Sequence, residues 1–467
     1  MDLQSDKDNA AMQDSFLIGS GAGFSGDRVD AAIPVVEAIA ATGRGGAIIF
    51  ETLGERTLAL GQVARHADPA RGYEPLLPQF LAPVLAPALQ AGITIVGNFG
   101  AANPQAAARA VADLAHGHGL SPRIAVISGD DMLGDPAFAE SELWEGDVGL
   151  PDPESAPIAI NVYLGARSIA EAIRAGAQVV VTGRVADPAL ALGPLVAHFG
   201  WDWDDLDRIA AGTMIGHLLE CGSQVSGGYF ADPGFKDVAG MASLGFPIAE
   251  VAADGSAVLG KAPGSGGRID LATVKEQLLY EIHDPAAYLT PDVTLDVTGV
   301  RLAQLGPDRV QVSGARGHPA PARLKATVSY PGEWLGEAGI SYAGPNARAR
   351  AELAIRTIRE RLALRGLTPR LRADILGTVS VFDDDGGTLR QRLRGPGDGD
   401  FRAHFAFGGD EDTVRAACQE VGALYCCGPA GGGGARIHVS PRFVTRSRMI
   451  ARDKVRSGFE FLQEARP

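Results

Sequence analysis

Four residues that could do chemistry together fall at helical spacing in one short stretch: His217, Glu220, Cys221 and Gln224. Positions i, i+3, i+4 and i+7 lie on one face of an α-helix, so we expect these side chains to be neighbours. An imidazole beside a carboxylate suits general acid–base catalysis, and a thiol activated by an imidazole suits nucleophilic catalysis. His217, Glu220 and Cys221 are therefore candidate catalytic residues. The alternative is that this face is structural or lines a substrate pocket.

Candidate substrate contacts follow directly along the chain. Gln224 lies one turn beyond the candidate catalytic residues, and Gly227 and Gly228 end the predicted helix. Glycines have no side chain, so they let the backbone approach a ligand closely.

Asp130 and Asp131 are adjacent carboxylates that follow a short apolar run. Two such groups can supply a general base whose pKa is raised by its neighbour. They could also hold a divalent cation together with Glu51 or Asp187, because such ions prefer oxygen ligands. A further alternative is that Asp131 caps a helix and Asp130 accepts from a backbone N–H. Both are candidate catalytic residues, and no residue is assigned as a metal ligand.

A glycine-rich bend, with Gly21, Gly23 and Gly26, follows the apolar residues 16–18. A strand that breaks into glycines before a helix leaves backbone N–H groups free for an anionic ligand, and Arg28 adds a positive charge. The glycines also fit the G-x-G-x-x-G pattern of dinucleotide folds, whose acidic partner follows about 20 residues later. Glu51 comes about five residues too late for that role. The bend therefore favours an anionic group over NAD(P), and a tight turn without a ligand is the alternative.

Polar residues recur where the predicted strands end: Glu51, Asn98, Asn161, Tyr163, Arg184 and Asp187. Ligands of open α/β sheets bind outside the carboxyl ends of the strands, so these residues form a candidate substrate site. Arg184 could clamp a substrate carboxylate through two parallel hydrogen bonds. Asn98 and Asn161 could stabilise negative charge that develops on a substrate oxygen. Any one of these residues could instead be a turn residue or a helix cap, and Arg184 with Asp187 a structural ion pair.

The elements that must position these residues alternate between short apolar runs and helical patterns. We predict strands at residues 16–19, 47–50, 93–96, 124–127, 157–161 and 178–182. Their near-continuous apolar character is typical of strands buried on both faces of a parallel sheet. The predicted fold class is α/β, a largely parallel sheet with flanking helices, doubly wound in preference to a barrel.

The residue pattern changes after residue 230, where runs of alternating polar and apolar residues predict antiparallel strands. We predict a disordered segment at 1–14 and a core at 15–365, with an α/β part at 15–230 and an antiparallel-rich part at 231–365. A small α+β domain is predicted at 366–467. Its glycine-rich stretch, 428–434, favours a backbone cradle for a ligand or a neighbouring subunit over a flexible loop.

Composition narrows the class of partner and the compartment. The net charge of −14 over 467 residues disfavours nucleic acid and anionic membrane surfaces as partners. The chain has four cysteines without zinc spacing, no apolar signal segment at its start and no run long enough to span a membrane. These features predict a cytoplasmic protein with reduced thiols.

Eight short motifs run in order along nearly the whole chain: GFSGDR (23–28), FETLGE (50–55), NVYLGA (161–166), VTGRVAD (181–187), AGTMIGHLLECGSQ (211–224), QLLYE (277–281), SYAGPN (341–346) and GPAGGG (428–433). Together they resemble the acyclic terpene utilisation family, the AtuA-like proteins. The resemblance implies an AtuA core followed by a small domain of ferredoxin-like fold. It also implies bacterial catabolism of citronellol- and geraniol-type terpenes through branched acyl-CoA intermediates, with a lyase step on a hydroxyacyl-CoA. Phe99 and Ala101 depart from the small-residue run expected in the loop at 97–104, which favours a substrate other than a terpenoid.

The sequence therefore predicts a catabolic enzyme that acts on a carboxylate or an acyl-CoA, and a homo-oligomer. The expected chemistry is a C–C lyase or hydro-lyase reaction by proton abstraction next to a carbonyl. Coenzyme A would enter as part of the substrate, and the only other group considered is a divalent metal. Two alternatives remain open: an NAD(P)-dependent oxidoreductase, and a non-catalytic subunit that binds an acyl group or another enzyme.

Overall fold

The computed structural model describes residues 15–144, 155–377 and 399–463, so the predicted disordered segment at 1–14 lies outside the described residues. Contacts divide the chain into two compact units. Within the described ranges, the first unit comprises residues 15–144, 157–329 and 445–463, and the second comprises 155–156, 330–377 and 399–444. The domain boundary expected near residue 366 stays a prediction.

The described residues form strands and helices with the following bounds. The strands are β1 (Phe16–Ala22), β2 (Gly46–Phe50), β3 (Ile93–Gly97), β4 (Ile124–Ser128), β5 (Glu142–Leu143), β6 (Ala159–Val162), β7 (Val179–Val181), β8 (Pro247–Val251), β9 (Ala257–Lys261), β10 (Tyr288–Leu289), β11 (Thr294–Asp296), β12 (Arg301–Gly306), β13 (Arg309–Ser313), β14 (Arg316–His318), β15 (Arg323–Tyr342), β16 (Arg370–Gly377), β17 (Phe401–Gly409), β18 (Gly432–Ala451) and β19 (Gly458–Phe461). The helices are α1 (Ala32–Ala40), α2 (Glu55–Ala67), α3 (Leu77–Leu81), α4 (Leu85–Gln90), α5 (Pro104–Gly117), α6 (Arg167–Arg174), α7 (Ala189–Phe199), α8 (Leu206–Glu220), α9 (Leu271–Leu279), α10 (Ala347–Leu364) and α11 (Glu411–Cys427).

The main sheet of the first unit has ten strands in the order β12-β13-β9-β8-β1-β2-β3-β7-β4-β19. Strands β1, β2, β3, β7 and β4 pair in parallel. The other five strands add to both edges of this parallel group through antiparallel pairings. The predicted largely parallel, doubly wound sheet is therefore wrong, because the sheet is mixed.

The physical reason for this error is that burial on both faces does not specify a strand's partner. The strand predicted at 157–161 forms as β6, but it pairs antiparallel with residues 326–329 of β15 and lies outside the ten-stranded sheet. The alternating strands after residue 230 do form, and β8, β9, β12 and β13 extend the same sheet. Apolar runs thus located the strands, while their neighbours depend on long-range packing.

Alternate residues of the parallel strands feed two hydrophobic cores, one on each face of the sheet. On β2, Ile48 and Phe50 pack into one core with α1 and α5. Ala47 and Ile49 pack into the other core with α6, α7 and α8. This two-sided burial accounts for the continuous apolar runs in the sequence. Among the described helices, none combines the length and the apolar character needed to cross a bilayer.

The second unit is built on antiparallel pairing of β17 with β16 and with residues 334–342 of β15. Helices α10 and α11 contribute Ile358 and Val421 to its core, beside Ile340, Phe405 and Phe407 of the strands. The expected ferredoxin-like domain is not confirmed.

Candidate active site

The carboxyl ends of β2 and β3 are joined by a buried network around Asn98. Asn98 Oδ1 accepts from the backbone N–H of Thr52 at 2.7 Å, and Asn98 Nδ2 donates to Glu51 Oε1 at 2.8 Å. Burial, and next the Asp187 carboxylate, raise the pKa of Glu51 well above its usual range, although Arg184 opposes this. The ionised form of Glu51 is therefore disfavoured, and the Asn98 side chain is occupied by the loop after β2.

Asp130, after β4, is buried and hydrogen-bonded to its neighbours. Its Oδ2 accepts from Asn161 Nδ2 and from the backbone N–H of Arg184, both at 2.9 Å. Gly183 makes room for this carboxylate, because a Cβ there would lie 2.6 Å from Asp130 Oδ2. Burial raises the pKa of Asp130 despite these donors.

The structure separates the two adjacent aspartates. Asp131 is exposed, accepts from the backbone N–H of Leu133 at 3.0 Å and lies 3.5 Å from Arg65. The pair therefore does not present two carboxylates to one site. Among the described residues, no group of three or more histidine, cysteine, aspartate or glutamate side chains is arranged to hold a metal ion.

Arg184 is fully buried at the end of β7, with its guanidinium engaged on several sides. Nη1 donates to the carbonyl of Leu53 at 2.6 Å, Nε donates to that of Val185 at 2.9 Å, and Nη2 pairs with Asp187. The guanidinium also lies 4.5 Å from the ring centre of Tyr163. These contacts tie the loops after β2 and β7 together.

Tyr163 and Asp187, which both contact Arg184, also interact with Glu55, and Asp187 interacts with Glu281 as well. The hydroxyl of Tyr163 donates to Glu55 Oε1 at 2.6 Å, and Lys325 lies 5.0 Å from its ring centre. Burial raises the pKa of Asp187, and the Glu55 and Glu281 carboxylates add to this effect. Arg184 opposes it, but the net shift is upward.

His217 and Glu220 form a buried pair near the end of α8. Asp205 caps the start of this helix, and every residue from 209 to 220 is buried. His217 Nδ1 and Glu220 Oε1 are 2.9 Å apart, while His217 Nε2 and Glu220 Oε2 have no hydrogen-bond partner within the described ranges. Burial lowers the pKa of His217, but the Glu220 carboxylate and the backbone of Gln277 and Leu278 together raise it more, so the net shift is upward. Burial raises the pKa of Glu220 to about 7.

Glycine at position 216 brings this pair to the strand-end residues. A Cβ on Gly216 would lie 2.4 Å from the carbonyl oxygen of Pro188, so only glycine lets α8 approach the turn after β7. The Asp187 carboxylate accordingly raises the pKa of Glu220, and Glu220 and Asp187 both raise that of Tyr288. Asp187 therefore links the strand ends to the His217–Glu220 pair.

The helix ends earlier than the sequence spacing predicted. It stops at Glu220, and residues 222–226 form a 3-10 turn, so Gln224 does not continue the helical face. Burial raises the pKa of the Cys221 thiol well above its usual range, with Glu220 adding to the effect. This thiol stays protonated at neutral pH, which does not favour a thiolate nucleophile. Gly227 and Gly228 pack against Val238 and Ser223.

The glycine bend packs against the chain itself. A Cβ at Gly21 would lie 2.7 Å from the Phe50 ring, and one at Gly23 would lie 2.4 Å from the backbone of Cys221. The N–H of Gly23 donates to Asp27 Oδ2 at 2.8 Å. Gly26 adopts a left-handed φ of 119° in this turn, and Arg28 pairs with Asp30 at 3.0 Å. The bend thus positions Cys221, and its contacts give the dinucleotide alternative no support.

Sequence reasoning missed Glu55, Glu281 and Tyr288 as members of this cluster. Glu281 adopts a left-handed φ of 58°, which is rare for a residue with a side chain. Its carboxylate raises the pKa of Asp187, Glu220 and Cys221. A signal was present for two of the three, because Glu55 and Glu281 end the family-like stretches FETLGE and QLLYE. Tyr288 had no such signal.

Fold and site together define a mixed α/β protein with a carboxylate-rich polar site where the strand-end loops meet the end of α8. A model of the family described as acyclic terpene utilisation family protein AtuA matches residues 16–461. The chain belongs to this family, which confirms the resemblance and gives the protein a role in acyclic terpene catabolism. A search of curated proteins found no match.

Proposed function

We propose that this protein is a catabolic enzyme that moves a proton next to the carbonyl of an acyl-CoA substrate, in a C–C lyase or hydro-lyase reaction. The observation that supports the proposal most strongly is the His217–Glu220 pair. A buried carboxyl with a pKa of about 7 can accept or donate a proton near neutral pH. Its Oε2 is buried and has no hydrogen-bond partner within the described ranges, which leaves one acceptor position for a substrate group that enters the site.

The two residues of the pair have different roles in this proposal. In dehydration, Glu220 Oε2 takes the proton from the carbon next to the thioester carbonyl and returns it to the departing 3-hydroxyl, which leaves as water. In C–C cleavage, Glu220 takes the proton of the 3-hydroxyl, the bond between C2 and C3 breaks to give a carbonyl product, and the same proton returns to C2. His217 holds the Glu220 carboxyl through Nδ1, at 2.9 Å, and compensates the charge of its ionised form. Arg184, whose donors are occupied, positions Asp187 rather than a substrate carboxylate.

Charge in the site favours an acyl thioester over a free carboxylate. Glu51, Glu55, Asp187, Glu220 and Glu281 raise one another's pKa or that of a shared neighbour. An ionised substrate carboxylate placed among them would make their own ionisation still less favourable, whereas the acyl part of a thioester carries no charge. We further propose that the protein acts in the cytoplasm as a homo-oligomer, without nucleic acid or membrane partners.

Turnover of branched 3-hydroxyacyl-CoAs by the purified protein tests the proposal. We expect cleavage or dehydration by the wild type and a large loss of rate in His217→Ala. The absence of turnover with a panel of such thioesters, or an unchanged rate in His217→Ala, would reject it. A second subunit that copurifies, together with inactivity of the chain alone, would favour the non-catalytic alternative.

A further inference from the structure

A cleft of about 550 Å³ opens in the first unit. Its walls include the segment that follows β6 and the loop that precedes β11. Its lining includes Leu164, Gly165, Arg167, Trp203, Asp292 and Arg452. None of these residues belongs to the carboxylate-rich site described above. The cleft is therefore a separate candidate site.

Two arginines of the cleft have no directly bonded anion. The Arg167 guanidinium lies 4.6 Å from the Trp203 ring centre, and it forms no hydrogen bond or ion pair with any residue that the structure describes. Arg452 donates Nε and Nη2 to the carbonyl of Pro321, at 3.1 and 2.9 Å, and pairs with no carboxylate in the described ranges. Burial lowers the pKa of Arg452, the Asp292 carboxylate opposes this effect, and the charge of Arg167 adds a smaller lowering. The two guanidinium groups are thus close enough to repel each other.

Asp292 offsets part of this charge without bonding to either guanidinium. Asp292 accepts from the backbone N–H of Ala166 with both oxygens, at 3.0 and 2.9 Å. Gly165 permits this contact, because a Cβ there would lie 2.3 Å from Asp292 Oδ1. Asp292 is therefore committed to the start of α6. Asp204 is exposed and carries the other negative charge of the lining.

We propose that this cleft binds an organic phosphate through Arg167 and Arg452, and specifically the phosphorylated nucleotide end of the acyl-CoA, an assignment that rests on the proposed function. The planar guanidinium fork matches phosphate oxygens, and the indole of Trp203 holds the Arg167 guanidinium in the cleft at 4.6 Å. The same segments serve both sites, since Tyr163 precedes Leu164 and Tyr288 lies three residues before Pro291. The pantetheine arm then connects the cleft to the carboxylate-rich site.

Calorimetric titration of the full-length protein with coenzyme A, ADP, pantetheine and inorganic phosphate tests this assignment. Arg167→Gln is the principal variant, because its side chain has no described hydrogen bond whose loss would affect folding. Arg452→Gln is the second variant, and Arg109→Gln, an exposed arginine on α5, is the matched control. Thermal unfolding of each variant establishes that it is folded.

We expect coenzyme A and ADP to bind the wild type, and each cleft variant to weaken both by about tenfold or more. Pantetheine binding and the Arg109→Gln control should be unchanged. Binding of inorganic phosphate without ADP would assign a free-phosphate site and overturn the nucleotide assignment. Unchanged coenzyme A affinity in folded Arg167→Gln and Arg452→Gln, or no binding by the wild type, would overturn the cleft itself. Turnover of an acyl-pantetheine, which lacks the phosphates, tests the proposed function separately.

Discussion

Asp130 and Glu220 are both buried carboxyl groups with raised pKa values, yet their surroundings differ. Asp130 Oδ2 accepts two hydrogen bonds at 2.9 Å, from Asn161 and from the backbone of Arg184. Glu220 has one partner, His217, and its Oε2 has none within the described ranges. A carboxylate whose oxygens accept fixed hydrogen bonds stabilises a fold, whereas a carboxyl with an unpaired oxygen keeps an acceptor for a further partner. The contacts therefore favour a structural role for Asp130, and we propose the chemical role for Glu220.

The largest effect should follow from Glu220→Gln, which keeps the size of the side chain but removes its ionisation. We expect turnover to fall by about 10²–10⁴-fold, the usual contribution of a positioned general base. The measurement is steady-state turnover of the thioester that the wild type accepts. Glu37→Gln, on an exposed position of α1, should retain the wild-type rate. A loss of less than about threefold in folded Glu220→Gln would break the comparison.

Asp130→Ala should act on stability instead. It leaves the N–H of Arg184 and Nδ2 of Asn161 without their acceptor, so we expect a loss of about 2–4 kcal/mol in the free energy of unfolding. Urea unfolding measures this loss. The neighbouring variant Asp131→Ala, at an exposed position, should change stability by no more than about 0.5 kcal/mol. Equal effects of the two substitutions would show that Asp130 is not a structural anchor.

Gly216→Ala tests how the His217–Glu220 pair comes to lie near Asp187. The new Cβ would meet the Pro188 carbonyl oxygen at 2.4 Å, so α8 must move away from the turn after β7. We expect a loss of about 1–3 kcal/mol in unfolding free energy, although alanine is the better helix former. Gly117→Ala, where a Cβ meets nothing within 4 Å, is the control. A stabilised Gly216→Ala would contradict the close approach.

The smallest effect concerns the pH dependence of stability. Glu220 has a pKa of about 7 in the folded protein against an ordinary value of 4.5, so the folded state keeps a proton that the unfolded state loses. The contribution to stability is therefore present below about pH 4.5 and is lost as the pH rises towards 7, and the raised pKa of His217 acts with the same sign. Glu220→Gln should flatten the curve of unfolding free energy between pH 4.5 and 7 by about 1–2 kcal/mol. No change in slope would argue against the raised pKa.

Sequence reasoning located elements better than it located their partners. The apolar runs at 16–19, 47–50, 93–96 and 124–127 correspond to β1–β4, because burial on both faces leaves a local signature. No local sequence pattern indicated that β6 would pair with β15, or that β8 and β9 would extend the sheet beyond its parallel strands. Those pairings depend on contacts between residues far apart in the chain.

The site shows the same division. Residue type and spacing identified His217 and Glu220, which do form a pair, since three residues of a helix fix their separation. The same reasoning extended the helix through Gln224, although it ends at Glu220. It could not foresee that Asp27 would occupy the N–H of Gly23, or that Arg184 would be enclosed by carbonyl groups. Whether a donor already has an acceptor depends on residues that only the folded chain brings together.

The most direct test of the account is deuterium exchange at the carbon next to the carbonyl of an acyl thioester, followed by mass spectrometry in D₂O. This measurement requires no knowledge of the complete reaction, because it reports only the removal of the proton from that carbon. We expect the wild type and Asp131→Ala to catalyse exchange, and Glu220→Gln to have lost it. Exchange at the wild-type rate in Glu220→Gln would contradict the assignment of Glu220 as the group that moves the proton.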